Sequence, residues 1–111
     1  MIEDNEIKLE LDGMLFTWDD EKEKINIRKH GVRFSVAATA FLDYDAVIRH
    51  NSFDDVTGEE RFDIIALVAG NIIMFVVYVS RENINNRDVT RIISARKATR
   101  QEEKIYDNGY E

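Results

Sequence analysis

The sequence predicts a single α+β domain: an antiparallel sheet with an N-terminal hairpin, two early helices packed on that sheet, and a C-terminal helix. Three observations predict this class. Turn-forming residues join β-prone runs, two helix-like segments follow the first pair of runs, and a capping box opens a last helix. The 111 residues can bury one hydrophobic core but not two, so residues 1–111 form one predicted domain.

The chain opens with a predicted hairpin. Residues 7–11 and 14–18 are β-prone runs, and Asp12-Gly13 between them is a dipeptide favoured in two-residue hairpin turns. Asp19 or Asp20 follows directly, and an aspartate side chain can accept hydrogen bonds from the free N–H groups at a helix N-terminus. The first helix is therefore predicted to begin here.

That helix is predicted to end near His30. Gly31 suits the left-handed conformation that often stops a helix, and the negative end of the helix dipole favours the protonated form of His30. Ser35 is suited to cap a second, short helix whose apolar stripe includes Phe34 and Phe41. Both helices are predicted to pack on the sheet.

The second half of the chain predicts the main strands. They are expected at residues 47–50, 61–68, 72–80 and 89–95. A polar loop over 51–60 separates the first two. The run 72–79 is continuously apolar, which is typical of a strand covered on both faces, so it is predicted to lie inside the sheet. Thr99 and Glu102 fit a capping box for a closing helix that ends near Asn108-Gly109.

Composition restricts the class of protein. Hydrophobic residues make up 44% and charged residues 33% of the chain, which is typical of a soluble globular domain. No apolar run is long enough to span a membrane, and the acidic N-terminus has no export signal, so a cytoplasmic location is predicted. The chain has no cysteine, no glycine-rich phosphate loop and no metal-ligand pattern, so neither a metal nor a cofactor is predicted.

Net positive charge is confined to two segments of an acidic chain. The net charge is −7, but residues 22–33 contain five bases and one acid, and residues 81–104 contain seven bases and four acids. If these segments adjoin in space, the acidic body carries one basic cleft suited to a polyanion. If they do not, they are two unrelated solvated patches.

The first basic segment contains a cluster of candidate functional residues. Lys22, Asn26, Lys29 and His30 follow at spacings of four, three and one, so a helix would place all four on roughly one side. That side offers positive charge, an amide and an imidazole, which suits holding a phosphodiester and moving a proton. The alternative is an ordinary solvated helix face.

Two sequence elements carry a resemblance to a known family. The first is KHGV at 29–32, the second is RIISARKA at 91–98, and GEER at 58–61 lies between them. Together they resemble the BrnT family, the toxin half of a type II toxin–antitoxin pair, over about residues 16–106. The resemblance implies a RelE-like fold and ribonuclease activity. It also implies a ribbon-helix-helix antitoxin, BrnA, as partner.

Cleavage of RNA without a metal needs a base for the 2′-hydroxyl proton, cations for the phosphate and an acid for the leaving oxygen. Arginine suits the phosphate because its planar fork donates two bonds at once. The candidate catalytic residues are His30, Lys29, Glu59, Arg81 and Arg96. The candidate RNA contacts are Lys22, Asn26, Arg61, Arg91 and Lys97. His50, outside these elements, is interpreted as an ordinary strand-end residue.

The positions of Arg91 and Arg96 along the last predicted strand decide whether both can serve one site. Arg91 and Arg96 differ in parity, so on an unbroken strand their side chains would point to opposite faces of the sheet. They can serve the same site only if the strand ends or bulges between them. We expect Arg96 to contribute only if the strand stops near Ala95.

Two functional hypotheses follow. The first is a metal-independent endoribonuclease toxin that inhibits translation and is neutralised by an antitoxin covering the basic cleft, with operator DNA contacted only through that antitoxin. The second is a noncatalytic module that binds the antitoxin and acts as co-repressor of its own operon. Only the first predicts growth arrest when this chain is expressed alone.

Overall fold

The computed structural model describes residues 6–84 and 87–109, without the side chains of residues 81–84. Within these ranges the chain forms six strands and three α-helices. In chain order they are β1 (Leu9–Leu11), β2 (Met14–Thr17), α1 (Asp20–His30), α2 (Phe34–Ala38), β3 (Val47–Phe53), β4 (Glu60–Val68), β5 (Ile72–Ile84), β6 (Arg87–Lys97) and α3 (Arg100–Asn108), with a 3₁₀ turn (Thr39–Leu42) after α2. None of the helices in these ranges is long and apolar enough to cross a bilayer.

The six strands form one sheet in the order β1-β2-β6-β5-β4-β3. The α+β class is confirmed, and β5 lies inside the sheet as its continuous apolar run predicts. The prediction of a purely antiparallel sheet is wrong, because β2 pairs parallel to β6, with Leu15 opposite Val89 and Thr17 opposite Arg91. The sheet is therefore mixed. The pairing joins the first hairpin to the last strand, so it depends on segments that are distant in sequence.

β3, β5 and β6 each extend at least two residues further than predicted into polar sequence. β3 continues to Phe53, which lies opposite Glu60, and β5 continues to Ile84, which lies opposite Arg87. The predicted polar loop over 51–60 is correspondingly shorter. Hydrophobic periodicity does not report these extensions, because backbone hydrogen bonds to a neighbouring strand maintain them beyond the buried core.

The main core lies between the sheet and the segment formed by α2 and the 3₁₀ turn. Phe41 packs between Phe16 and Tyr78, with ring centroids 5.4 and 4.9 Å away. We call the sheet face that bears this core the inner face and the opposite one the outer face. Alternation along the strands assigns side chains to one face or the other.

The predicted cap of α2 is wrong. Ser35 lies inside the helix, and the residue at the N-cap position, Arg33, makes no side-chain capping bond. The N–H of Phe34 instead donates to the Glu23 carboxylate at 2.8 Å. An acceptor from α1 therefore replaces the local cap, and this bond joins the two helices.

The closing helix α3 begins and ends as predicted. Thr99 and Glu102 form the capping box, and the helix stops before Gly109. Near its C-terminal end the Tyr106 hydroxyl donates to the Asp43 carboxylate at 2.7 Å, and the N–H of Leu67 donates to the same oxygen at 2.8 Å. Burial opposes ionisation of Asp43, but these hydrogen bonds outweigh it and lower the pKa of that carboxyl. Burial, followed by the hydrogen bond to Asp43, raises the pKa of Tyr106 to about 12.

Replacing Tyr106 by phenylalanine removes this hydrogen bond and keeps the ring. We expect a loss of about 1 kcal/mol in the free energy of unfolding at neutral pH. The raised pKa of Tyr106 means that wild-type stability falls as pH rises from the ordinary value of 10.0 towards about 12. The lowered pKa of Asp43 means that stability also falls as pH drops below its ordinary value of 3.8.

In the Phe variant, the free energy of unfolding should lose the decrease at alkaline pH that Tyr106 contributes. Its decrease at acid pH should be shallower. Urea unfolding of both proteins across the pH range measures this. Parallel stability curves, separated by a constant amount at every pH, would show that the Tyr106–Asp43 bond does not set these titrations.

Candidate active site

A cleft of about 220 Å³ lies between α1 and β6. Its lining residues are Lys22, Ile25, Asn26, Lys29 and His30 from α1, and Ile93 and Ser94 from β6. The predicted cluster of four α1 residues is therefore gathered around one cavity. The two basic segments adjoin in space, since one wall comes from each of them.

Local sequence fixes the position of the cationic wall. The Asp19 carboxylate accepts from the N–H groups of Glu21 and Lys22 at 2.8 and 3.1 Å and caps the start of α1. Gly31 adopts the left-handed conformation, φ 70°, and ends the helix directly after His30. Both predicted ends of α1 are confirmed, so His30 lies in the last turn.

The charges on this wall are available to a ligand. Within the described residues no hydrogen bond or ion pair engages the side chains of Lys22, Lys29 or His30, and both lysines and the histidine are exposed. By contrast, Lys24 on the same helix pairs with Glu21 at 3.4 Å. The cleft therefore presents two ammonium groups and an imidazole that no described residue holds in a hydrogen bond or ion pair.

A β-bulge shapes the opposite wall. Val77 pairs with Ser94 and Tyr78 pairs with Ile92, so Ile93 is an extra residue in β6. The bulge changes the alternation of side chains along the strand. Arg91 and Arg96, whose parity would place them on opposite faces, consequently share the outer face, and Ser94 lies between them.

Arg91 is an outer-face arginine that remains available within the described part of the chain. It is half-buried, and no hydrogen bond or ion pair in the described part of the chain engages its guanidinium. With Lys8, Trp18 and Asp19 it lines a second, polar hollow of about 300 Å³. The pKa of Asp19 is lowered chiefly by the N–H of Lys22, with a smaller contribution from the charge of Arg91. Arg91 therefore lies at the N-terminal end of α1, on the same helix–strand junction as the cleft.

Arg96 is engaged elsewhere. Its guanidinium donates to both carboxylate oxygens of Glu102 at 2.8 and 3.0 Å and lies 4.3 Å from the centroid of the Phe75 ring. The Glu102 hydrogen bonds raise the pKa of Arg96 despite its partial burial, and the pKa of Glu102 is lowered. Arg96 does not line the cleft. Moreover, β6 runs past Ala95 to Lys97, so the condition on which we expected its participation is not met.

Glu59 and Arg61 are not among the residues that line the cleft. Glu59 directly precedes β4, Arg61 lies near the start of β4 opposite Ser52, and β5 separates β4 from β6. Arg61 lies 3.9 Å from Asp54, and its Nε is buried without a hydrogen bond. It shares the outer face with Arg91 at a distance of two strands, roughly 10 Å at the usual strand spacing.

The remaining predicted residues divide into three cases. Asn26 is buried, and its amide hydrogen-bonds to main-chain groups of the protein. Its polar atoms are therefore engaged within the fold and not presented to RNA. Lys97 is exposed at the end of β6 and points to the inner face, opposite Met74. Arg81 belongs to β5 opposite Val89, but its side chain lies outside the described residues.

Besides Ile25 on α1, Ser94 and Ile93 on β6 are the cleft residues that sequence reasoning missed. Both lie within the RIISARKA element, but a strand pattern alone does not show which residue bulges. The motif was the only available signal, and it did not distinguish Ser94 from its neighbours. Within the described residues no group of three or more His, Cys, Asp or Glu side chains could hold a metal ion.

Comparison with known proteins agrees with the motifs. The sequence profile described as "Ribonuclease toxin, BrnT, of type II toxin-antitoxin system" matches residues 18–102. The chain belongs to the BrnT family. The match contains both walls of the cleft, and it confirms the resemblance that the KHGV and RIISARKA elements indicate. Membership in this BrnT family implies an RNA target and an antitoxin partner.

A solved structure supports the same assignment. The crystal structure of the Brucella abortus ribonuclease toxin BrnT matches with a TM-score of 0.54 and 27% sequence identity, over 75% of this chain and 94% of that chain. No functionally curated protein shows significant similarity to the chain. The BrnT assignment therefore rests on the family profile and on this fold match.

Proposed function

We propose that this BrnT-family chain is a metal-independent endoribonuclease that cleaves RNA in the α1–β6 cleft and thereby inhibits translation. One observation carries the proposal: the fold gathers Lys22, together with Lys29 and His30 of the KHGV element, around one cavity with Ser94 of the RIISARKA element. Within the described residues no hydrogen bond or ion pair engages the side chains of those three α1 residues. An imidazole that lines the same cleft as two ammonium groups is suited to transfer a proton beside a phosphate.

The reaction needs only groups that the cleft can supply. A base removes the proton of the 2′-hydroxyl, and that oxygen attacks the adjacent phosphorus. The bond to the 5′-oxygen breaks, and an acid protonates the leaving oxygen, which yields a 2′,3′-cyclic phosphate and a free 5′-hydroxyl. We assign the proton transfer to His30 and the neutralisation of phosphate charge to Lys22 and Lys29.

Arg91 extends the proposed RNA path. It is available on the outer face beside the N-terminal end of α1, so a strand lying along the α1–β6 junction would place a neighbouring phosphate near it. Arg61 is a candidate for a more distant contact on the same face. Arg96 and Asn26 are omitted from the RNA contacts, because their polar groups are already bound within the protein.

The proposal extends to the partner. A ribbon-helix-helix antitoxin would cover the basic cleft, and the complex would reach operator DNA only through that antitoxin. The family resemblance supports this arrangement. It also supports a RelE-type mechanism and a cytoplasmic location. The net charge of −7 also supports a partner that directs the toxin to its RNA, because nonspecific attraction of a polyanion to this chain is weak.

If the chemistry is right, purified protein should cleave RNA equally well in excess chelator. The products should carry 2′,3′-cyclic phosphate and 5′-hydroxyl ends, because the internal nucleophile requires no metal-bound water. End-group analysis of the fragments, with and without EDTA, measures both properties. Cleavage that stops in EDTA and returns with magnesium would disprove the mechanism.

Expression of the chain alone, with and without the antitoxin, tests the biological role. A toxin arrests growth, and the antitoxin relieves the arrest. A noncatalytic co-repressor would bind the antitoxin without arresting growth. Expressing His30→Gln in parallel links any arrest to the cleft, because that substitution keeps a polar side chain but removes the titrating group.

A further inference from the structure

The first helix packs against the sheet without a fully buried apolar side chain of its own. Among the residues of α1 only Asn26 is buried, with 5% of its surface exposed, while Ile25 and Ile27 are each about 40% exposed. An amphipathic helix normally packs through an apolar stripe. A polar contact must therefore determine where α1 lies relative to β6.

Asn26 makes that contact with the edge of β6. The Ala95 N–H donates to its Oδ1 at 3.0 Å, and its Nδ2 donates to the Ala95 carbonyl oxygen at 2.9 Å. Pairing with β2 ends at Arg91, so these two main-chain groups lie beyond the last residue with a strand neighbour on that side. The side-chain amide takes the place of the missing strand, and it satisfies a buried N–H and C=O that would otherwise destabilise the fold.

A third hydrogen bond joins the same amide to the end of α1. Its second N–H donates to the Val32 carbonyl oxygen at 3.0 Å, just after Gly31. One side chain thus connects three segments: the helix itself, the turn that follows His30, and β6 one residue after Ser94. These are the segments whose side chains line the cleft.

We propose that Asn26 is a positioning residue, which sets the distance and orientation of His30 relative to Ser94 without itself touching the reacting atoms. The inference rests on the proposed function and adds the device that aligns the two walls of its cleft. A fully hydrogen-bonded buried amide is well suited to this role, since it fixes direction as well as distance.

The test compares Asn26→Ala and Asn26→Gln with wild type. Ala removes all three bonds, whereas Gln retains the amide on a side chain longer by one methylene, so it can restore hydrogen bonds but displaces α1 from β6. We expect both variants to lower the single-turnover cleavage rate per folded molecule, on the order of 100-fold for a displacement of about one ångström. The affinity for a non-cleavable 2′-deoxy analogue should change little, because the flexible lysines still attract the phosphates.

Tyr106→Phe serves as the matched control, because it also removes a tertiary hydrogen bond but at α3 and Asp43. It should cleave at the wild-type rate. If Asn26→Ala and Asn26→Gln also cleave at that rate when folded, Asn26 is only structural and the positioning role is wrong.

A second measurement separates this inference from the proposed function. NMR shifts of the His30 ring and the Ser94 amide should both move in Asn26→Ala, and exchange of the Ala95 N–H should accelerate, while the Tyr106 signals stay unchanged. Those changes would support the positioning role even if the wild-type protein cleaved no RNA, a result that would disprove only the proposed function. Unchanged shifts at His30 and Ser94 would overturn the positioning role whatever the activity.

Discussion

Replacing His30 by glutamine is expected to slow RNA cleavage by on the order of 100-fold, a typical share for general acid–base catalysis. Glutamine retains hydrogen-bonding capacity but cannot titrate. Because His30 is exposed and unbonded within the described residues, the free energy of unfolding should stay within about 0.5 kcal/mol of wild type. Single-turnover rates and urea unfolding of the same preparations measure the two effects.

The pH dependence provides an independent readout of the same prediction. If His30 transfers the proton, the cleavage rate of wild-type protein should depend on pH, and His30→Gln should lose the part of that dependence that His30 contributes. His30→Ala should behave like the Gln variant. A structural role would give the opposite pattern, in which Ala costs stability and Gln retains the full rate per folded molecule.

His50 is a matched control for this experiment. It is the second histidine of the chain, on the edge strand β3, with its Nε2 3.3 Å from Glu60. Three strand spacings, roughly 14 Å, separate β3 from β6. His50→Gln should cleave at the wild-type rate. If His30→Gln is fully active, His30 is removed from the chemistry, and Lys29 becomes the next base to test.

The parts of the site that were predictable are those determined by nearby residues. Asp19 and Gly31 fix the ends of α1 through local capping, and helical spacing then places Lys22, Lys29 and His30 on one side. These signals lie within about a dozen residues of one another. The prediction of this wall therefore required no knowledge of the rest of the fold.

The parts that were not predictable depend on contacts between distant segments. Asn26 shares the side of the helix that faces the cleft, but its burial depends on Ala95, 69 residues away. The parallel pairing of β2 with β6 and the bulge at Ile93 likewise arise from how strands meet. Parity predicted opposite faces for Arg91 and Arg96, and a single extra residue reversed that result.

Replacing Arg96 by alanine is expected to destabilise the fold by about 2 kcal/mol, the low end for losing charge-assisted hydrogen bonds because the guanidinium is partly exposed. The substitution leaves Glu102, whose side chain is 14% exposed, without its bidentate partner and uncovers the Phe75 ring. The sequence makes Arg96 a candidate catalytic residue. Because the structure engages its guanidinium with Glu102, we expect cleavage per folded Arg96→Ala molecule to remain close to wild type.

Two further variants make this prediction specific. Arg96→Lys retains the charge but not the planar fork, so it should recover only part of the lost stability. Arg100→Ala, at an exposed position in the first turn of α3, should change the free energy of unfolding by less than about 0.5 kcal/mol. Urea unfolding of all three variants, beside cleavage rates measured where each is folded, decides the role. A folded Arg96→Ala with wild-type stability and lost cleavage would return Arg96 to the active site, since only release of its guanidinium from Glu102 during the reaction could explain that result.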